Sequence, residues 1–180
     1  LFLIGCTEQQ EDEVQKVQSF RGNNVLLISI DTCRADYLEP YNQNSPAKTP
    51  HISALANDGI LFSDAVTPVP LTMPAHASLF TGLHPIQHGV RDNYNSTLSE
   101  AAVTLAELFQ ESGYATMGAV GTILLSRHSG LRQGFDEYDD EFGKQQGLLQ
   151  SKPNVERRGS LVLQSTTKWL LDYKEKQAET

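Results

Sequence analysis

The sequence predicts an α/β fold, a parallel-rich sheet with helices on both faces, from three observations. Val25 to Ile30 is an apolar, β-branched and leucine-rich run without helical period, the pattern of a strand buried on both faces. A second strand-like run, Ile60 to Val66, follows a helical segment that closes on Gly59, and a third, Tyr114 to Val120, follows one that closes on Gly113. Such alternation builds βαβ units, whose ligands bind at the carboxyl ends of the strands.

Each element has its local reason. Asn23-Asn24 precede the first strand and Asp31 comes directly after it. Thr49-Pro50 opens the first helix, with Thr49 as N-cap and Pro50 at the first helical position. Pro68, Pro70 and Pro74 make a rigid loop after the second strand, and Ala75 to Thr81 forms a helix that Gly82 ends. Val103 to Ser112 places Leu105, Leu108 and Phe109 at helical spacing. Gly130 to Gln150, rich in Gly, Asp, Glu and Gln, reads as a long surface loop. From Arg158 onward, Leu161, Leu163, Trp169, Leu170 and Tyr173 predict an amphipathic helix that covers the sheet.

Composition bounds the function. The 180 residues are 39% hydrophobic and 20% charged, as in an ordinary globular domain. A net charge of -8 supplies no basic field for nucleic acid or anionic lipid. Cys6 and Cys33 are too few for a disulfide scaffold. Both ends look cut, which predicts an incomplete, inactive piece of a larger enzyme. Leu3-Ile4-Gly5-Cys6 resembles the lipobox of a bacterial lipoprotein, cleaved after Gly5 and lipidated on Cys6. The expected organisation is thus the end of a signal peptide at 1–5, a polar acidic tether at 6–22 and a catalytic region at 23–180. It implies a lipid-anchored protein of the bacterial cell envelope, touching the membrane only through Cys6.

The candidate chemistry begins at Asp31, whose carboxylate should project from the carboxyl edge of the sheet. A hard oxygen ligand there suits a divalent cation, although a turn cap is the commoner use of such a residue. Thr72 stands before the helix at Pro74, where the helix dipole favours an oxyanion and an anionic substrate. By residue type it is open between N-cap and nucleophile. His51, His84, His88 and His128 have no mutual metal spacing and read as structural or exposed. Arg91 is expected to pair with an acidic residue, and Asp36 and Asp92 to be solvated or to orient their loops.

Several separated motifs resemble the sulfatase family of the alkaline phosphatase superfamily. Ile28-Ser29-Ile30-Asp31-Thr32-Cys33-Arg34-Ala35-Asp36-Tyr37-Leu38 is similar to its first metal strand, and Thr49-Pro50-His51-Ile52-Ser53-Ala54-Leu55-Ala56 to its first helix. Thr72 to Gly82 aligns with the Cys-x-Pro-x-Arg…Thr-Gly signature, and His84-Pro85…His88-Gly89-Val90-Arg91-Asp92-Asn93 with the family's next conserved segment. The resemblance implies metal-dependent hydrolysis of a sulfate or phosphate ester of a small molecule or glycan. It places Asp31 and Thr72 at a divalent ion (Ca, Mg, Mn or Zn) and implies further Asp-His metal ligands in a later segment.

Two departures matter. Thr72 stands where the family has its modified cysteine, and His76 where it has an arginine. A single hydroxyl cannot both attack and expel sulfate, so a Thr72 ester would need water for release, as in the superfamily's phosphodiesterases and phosphotransferases. Asn93 lies 21 residues after Thr72, a spacing similar to that of the asparagine which binds a non-bridging oxygen in those phosphodiesterases. His76 is open between donating to the reacting group and lying on the helix surface. The alternatives are an envelope phosphotransferase and a catalytically silent sulfatase-fold binding protein.

Overall fold

The computed structural model describes residues 22–142 and 156–178. The expected signal end at 1–5, Cys6 and nearly all of the tether lie outside the described residues. The chain divides into two units, Leu1–Asp31 and Thr32–Thr180.

In the first unit the run Val25 to Ile30 carries no sheet ladder, and its side chains are open to solvent, Leu26 at 72% and Ile28 at 70%. The predicted first strand is therefore not formed. A parallel strand exists only as a member of a ladder, and the described sheet consists of two other segments.

The second unit runs α1 (Pro50–Asp58), α2 (Thr72–Thr81), α3 (Pro85–His88), α4 (Leu105–Glu111), β1 (Met117–Ala119), β2 (Glu137–Asp139) and α5 (Gly159–Ala178). Pro50 starts α1 as expected, but Thr49 does not cap it through its side chain. Its Oγ1 instead accepts the Glu39 N–H at 3.0 Å, and its own N–H donates to the Glu39 carboxylate at 2.7 Å. The predicted strand at 60–66 is also absent, with Ile60 84% and Val66 88% exposed, for the same want of a ladder.

The third predicted strand shortens to β1, paired in parallel with β2 in the register Met117 to Glu137, Gly118 to Tyr138 and Ala119 to Asp139. β2 lies inside the stretch expected to be loop, because its polar Glu-Tyr-Asp sequence has none of the apolar continuity of a buried strand. Gly118 is needed for the pairing: a Cβ there would lie 2.6 Å from the Tyr138 ring. α5 lies against β1 as expected from its pattern. Arg157, just before α5, donates to Val120 O at 2.8 Å and to the Asp139 carboxylate at 2.9 Å, tying that end of the helix to the strand ends. Trp169 and Tyr173, one turn apart on α5, stack at 5.3 Å.

The core is built around α2. Met73 and Ala77 are buried with Val90, Leu98, Leu125 and Leu131, and Phe80, Ala102 and Val120 pack on them. A helix whose inner face is the core has its first turn held by the rest of the unit, and that turn carries Thr72.

Candidate functional site

Leu71 is extended (φ -134°, ψ 137°) and the chain turns helical at Thr72, so α2 begins before the expected Pro74 start. Thr72 is therefore the first helical residue, partly buried, rather than a residue ahead of the helix. The backbone donors of this end are largely used. Met73 N–H donates to Asn93 Oδ1 at 3.0 Å, Pro74 has no N–H, and Ala75 N–H donates to Leu71 O at 3.0 Å. The dipole still favours negative charge here, but an anion must draw most of its hydrogen bonds from side chains.

Asn93 can supply them. Because Met73 N–H can only donate, the Asn93 amide oxygen is the acceptor and its Nδ2 the donor end. The partly buried amide is thereby set against the turn that begins with Thr72. The loop carrying it is shaped by Asp92, whose Oδ1 accepts the N–H of Tyr94 at 2.8 Å and of Asn95 at 2.6 Å. Those two backbone bonds hold the Asp92 carboxyl below its ordinary value.

His76 is buried, not on the helix surface, and its Nδ1 lies 2.7 Å from Thr72 O. A carbonyl only accepts, so Nδ1 carries the proton and the neutral ring's lone pair is on Nε2. The ring thus braces the turn bearing Thr72. On the same helix Ser78 Oγ meets His88 Nε2 at 2.9 Å, while His88 Nδ1 accepts Val90 N–H at 3.1 Å. His88 is the structural histidine expected, whereas His51, His84 and His128 are exposed. Arg91 makes no side-chain ion pair among the described residues, contrary to expectation. It stands exposed, and only its backbone N–H is held, by Ser96 Oγ at 3.3 Å.

The structure therefore brings Thr72, His76 and Asn93 together, joined through the backbone of a single helical turn. Asp31 is exposed in the other unit. Among the described residues no group of three or more His, Cys, Asp or Glu side chains could hold a metal ion. The described donors thus do not fit a resident divalent cation by themselves.

Two ion pairs at the end of β2 are not legible in the sequence. Asp140 takes both guanidinium nitrogens and the backbone N–H of Arg127, and Asp139 takes Arg157. Their partners are 13 and 18 residues away, and no local signal marks such pairs. The Asp92 turn, by contrast, is visible as an Asp beside the candidate Asn93.

A family model described as Sulfatase matches residues 23–176. The chain is 34% identical over 119 residues to an ulvan-active sulfatase of Formosa agariphila, covering 63% of this chain and 22% of that protein. It is 32% identical over 124 residues to an N-acetylgalactosamine-6-O-sulfatase of Bacteroides thetaiotaomicron, covering 66% and 23%. A solved 2-O GAG sulfatase superposes with a TM-score of 0.53 at 29% identity, over 66% of this chain and 25% of that one. The chain spans about a quarter of the length of these relatives.

Proposed function

The chain belongs to the sulfatase family, whose model spans residues 23–176, and on that premise we propose that the protein carrying it hydrolyses sulfate or phosphate esters with Thr72 as nucleophile. The observation that carries this reading is the bond from Met73 N–H to Asn93 Oδ1. It sets an amide donor beside the one hydroxyl that occupies the nucleophile position.

In this mechanism the Thr72 oxygen attacks the sulfur or phosphorus in line and the alcohol leaves from the opposite side. Asn93 Nδ2 donates to a non-bridging oxygen, a preorganised contact that needs no protonation change. His76 keeps the first turn of α2 in place through Thr72 O. The resulting Thr72 ester is opened by water, because Thr72 has no second hydroxyl with which to expel the group. Asp31 is assigned as one ligand of a divalent cation, Ca, Mg, Mn or Zn, which would need further ligands beyond the described residues. The relatives' names favour a glycan sulfate as substrate, while the unmodified threonine favours a phosphodiester at least equally.

The test compares turnover of an aryl sulfate and an aryl phosphodiester by the protein carrying this chain, with and without Thr72→Ala. We expect the variant to lose about 10³-fold or more in kcat, the scale of removing a covalent nucleophile. Unchanged turnover in the variant would show that Thr72 is not the nucleophile. Absence of any turnover in the unaltered protein would favour the silent binding protein. The envelope location rests on Leu3-Ile4-Gly5-Cys6 and is tested by fatty-acid labelling, which Cys6→Ser should abolish.

A further inference from the structure

Asn93 is useful only if its amide stays turned toward α2, and an asparagine amide on a loop has a broad, roughly two-fold terminal torsion. One bond, to Met73 N–H at 3.0 Å, fixes the amide itself. The backbone that presents it comes after Val90, which His88 Nδ1 anchors, and continues into Tyr94 and Asn95. Between those points the chain must reverse without a helix or strand to hold it. Asp92 Oδ1 gathers the N–H groups of Tyr94 and Asn95, at 2.8 and 2.6 Å, while Arg91 N–H is held by Ser96 Oγ at 3.3 Å. A carboxylate oxygen accepting such backbone donors closes an Asx turn around the residue next to it in the chain, and that residue is Asn93.

We infer that Asp92 is a positioning residue of the reaction: its carboxylate closes the turn that aims Asn93 at the transferred group on Thr72. This rests on the proposed role of Asn93 and deepens it. Asp92 touches neither Thr72 nor the reacting atoms, so its contribution passes entirely through Asn93. A carboxamide has the same accepting oxygen, so Asn at this position retains the turn, whereas Ala cannot form it.

The experiment measures kcat and KM of the protein carrying this chain on whichever aryl ester it turns over, for Asp92→Ala, Asp92→Asn, Asn93→Ala and the double alanine variant. We expect Asp92→Ala to lower kcat by about tenfold to a hundredfold, the size of a misplacement near 1 Å, with KM changed less than about threefold. Asp92→Asn should recover most of the loss, and the double variant should be no slower than Asn93→Ala alone, as for two residues acting as a unit. Wild-type kcat in Asp92→Ala beside a slow Asn93→Ala would overturn the inference. So would losses that multiply in the double variant. If Asn93→Ala itself turns over normally, the Asn93 assignment fails first and takes this inference with it. Should Asp92→Ala unfold, hydrogen exchange at Tyr94 and Asn95 in Asp92→Asn and Asp92→Ser replaces it: kcat should fall as those amides lose protection, and independent variation of the two would overturn the inference.

Discussion

His88 shows how a side chain's neighbours choose its protonation state. Val90 N–H points at Nδ1, so that nitrogen must be bare, and Nε2 donates to Ser78 Oγ. Burial lowers its pKa below 6.5, because the charged ring would be desolvated and would lose its bond to Val90. The sign comes from proton counting. Between the folded and unfolded values the unfolded chain binds the proton and the folded chain does not, so stability rises with pH there. Stability is therefore expected to fall as pH drops from 6.5 toward the lowered folded value. In urea titrations from pH 8 to 5, His88→Gln should show a flatter dependence; an equal slope in the two proteins would remove His88 as the cause. Thr72, His76 and Asn93 could be picked out in the sequence because a motif spacing marks them. The Ser78–His88 pair could not, since nothing in the string distinguishes a buried histidine from an exposed one.

At the scale of the element, local signals were good guides to where helices lie and poorer guides to what holds them. Pro50, Gly59 and Gly82 mark α1 and α2 as expected, and Gly82 adopts φ 70° with its N–H on Ser78 O at 2.9 Å. Thr104 and Glu107 form a reciprocal capping box at α4, with Thr104 N–H to Glu107 Oε2 at 2.7 Å and Glu107 N–H to Thr104 Oγ1 at 3.2 Å. The Thr-x-x-Glu pattern was there to be seen. Since Thr104 is fully buried, Thr104→Ala should cost about 1–2 kcal/mol in denaturant unfolding; a change under about 0.3 kcal/mol would deny the cap its role. Gly134 has φ 84°, and a Cβ on it would lie 2.2 Å from Glu107 N. The chain there passes directly over the start of α4. Gly134→Ala should therefore lose about 2–4 kcal/mol, combining left-handed strain with a backbone clash. A loss below about 1 kcal/mol would mean the close approach is not maintained.

For the whole molecule, the decisive contacts join residues far apart in the chain. Asp140 is buried at the end of β2, and hydrogen bonds from the Arg127 side chain hold its carboxyl at about 2. A lowered carboxyl contributes stability that is present above the unfolded value of 3.8 and is lost as pH falls toward 2. Acid unfolding followed by circular dichroism should thus be less steep between those values in Asp140→Asn; an identical profile would show that the pair does not couple to folding. Exposure divides the chain in another way. Val25 to Ile30 stands open, whereas α2 is buried through Met73 and Ala77. Hydrogen exchange on this 180-residue chain should accordingly be fast at residues 25–30 and slow along α2, and protection of 25–30 equal to that of α2 would contradict the arrangement described.

The sequence by itself determined the family, the α/β class, the helix boundaries set by proline and glycine, and the candidates Thr72, His76 and Asn93, because all of these reside in residue type at short or fixed spacing. It did not determine which apolar runs become strands. Val25 to Ile30 and Ile60 to Val66 have strand character without a ladder, while the polar Glu137 to Asp139 pairs with Met117 to Ala119. Strand hydrogen bonds are made with another segment, so pattern alone cannot supply them. Tertiary structure also decided that Asn93 reaches Met73, that His76 turns inward to Thr72, and that Asp140 finds Arg127. In each case the energy lies in a contact whose partner the folded backbone brings from elsewhere.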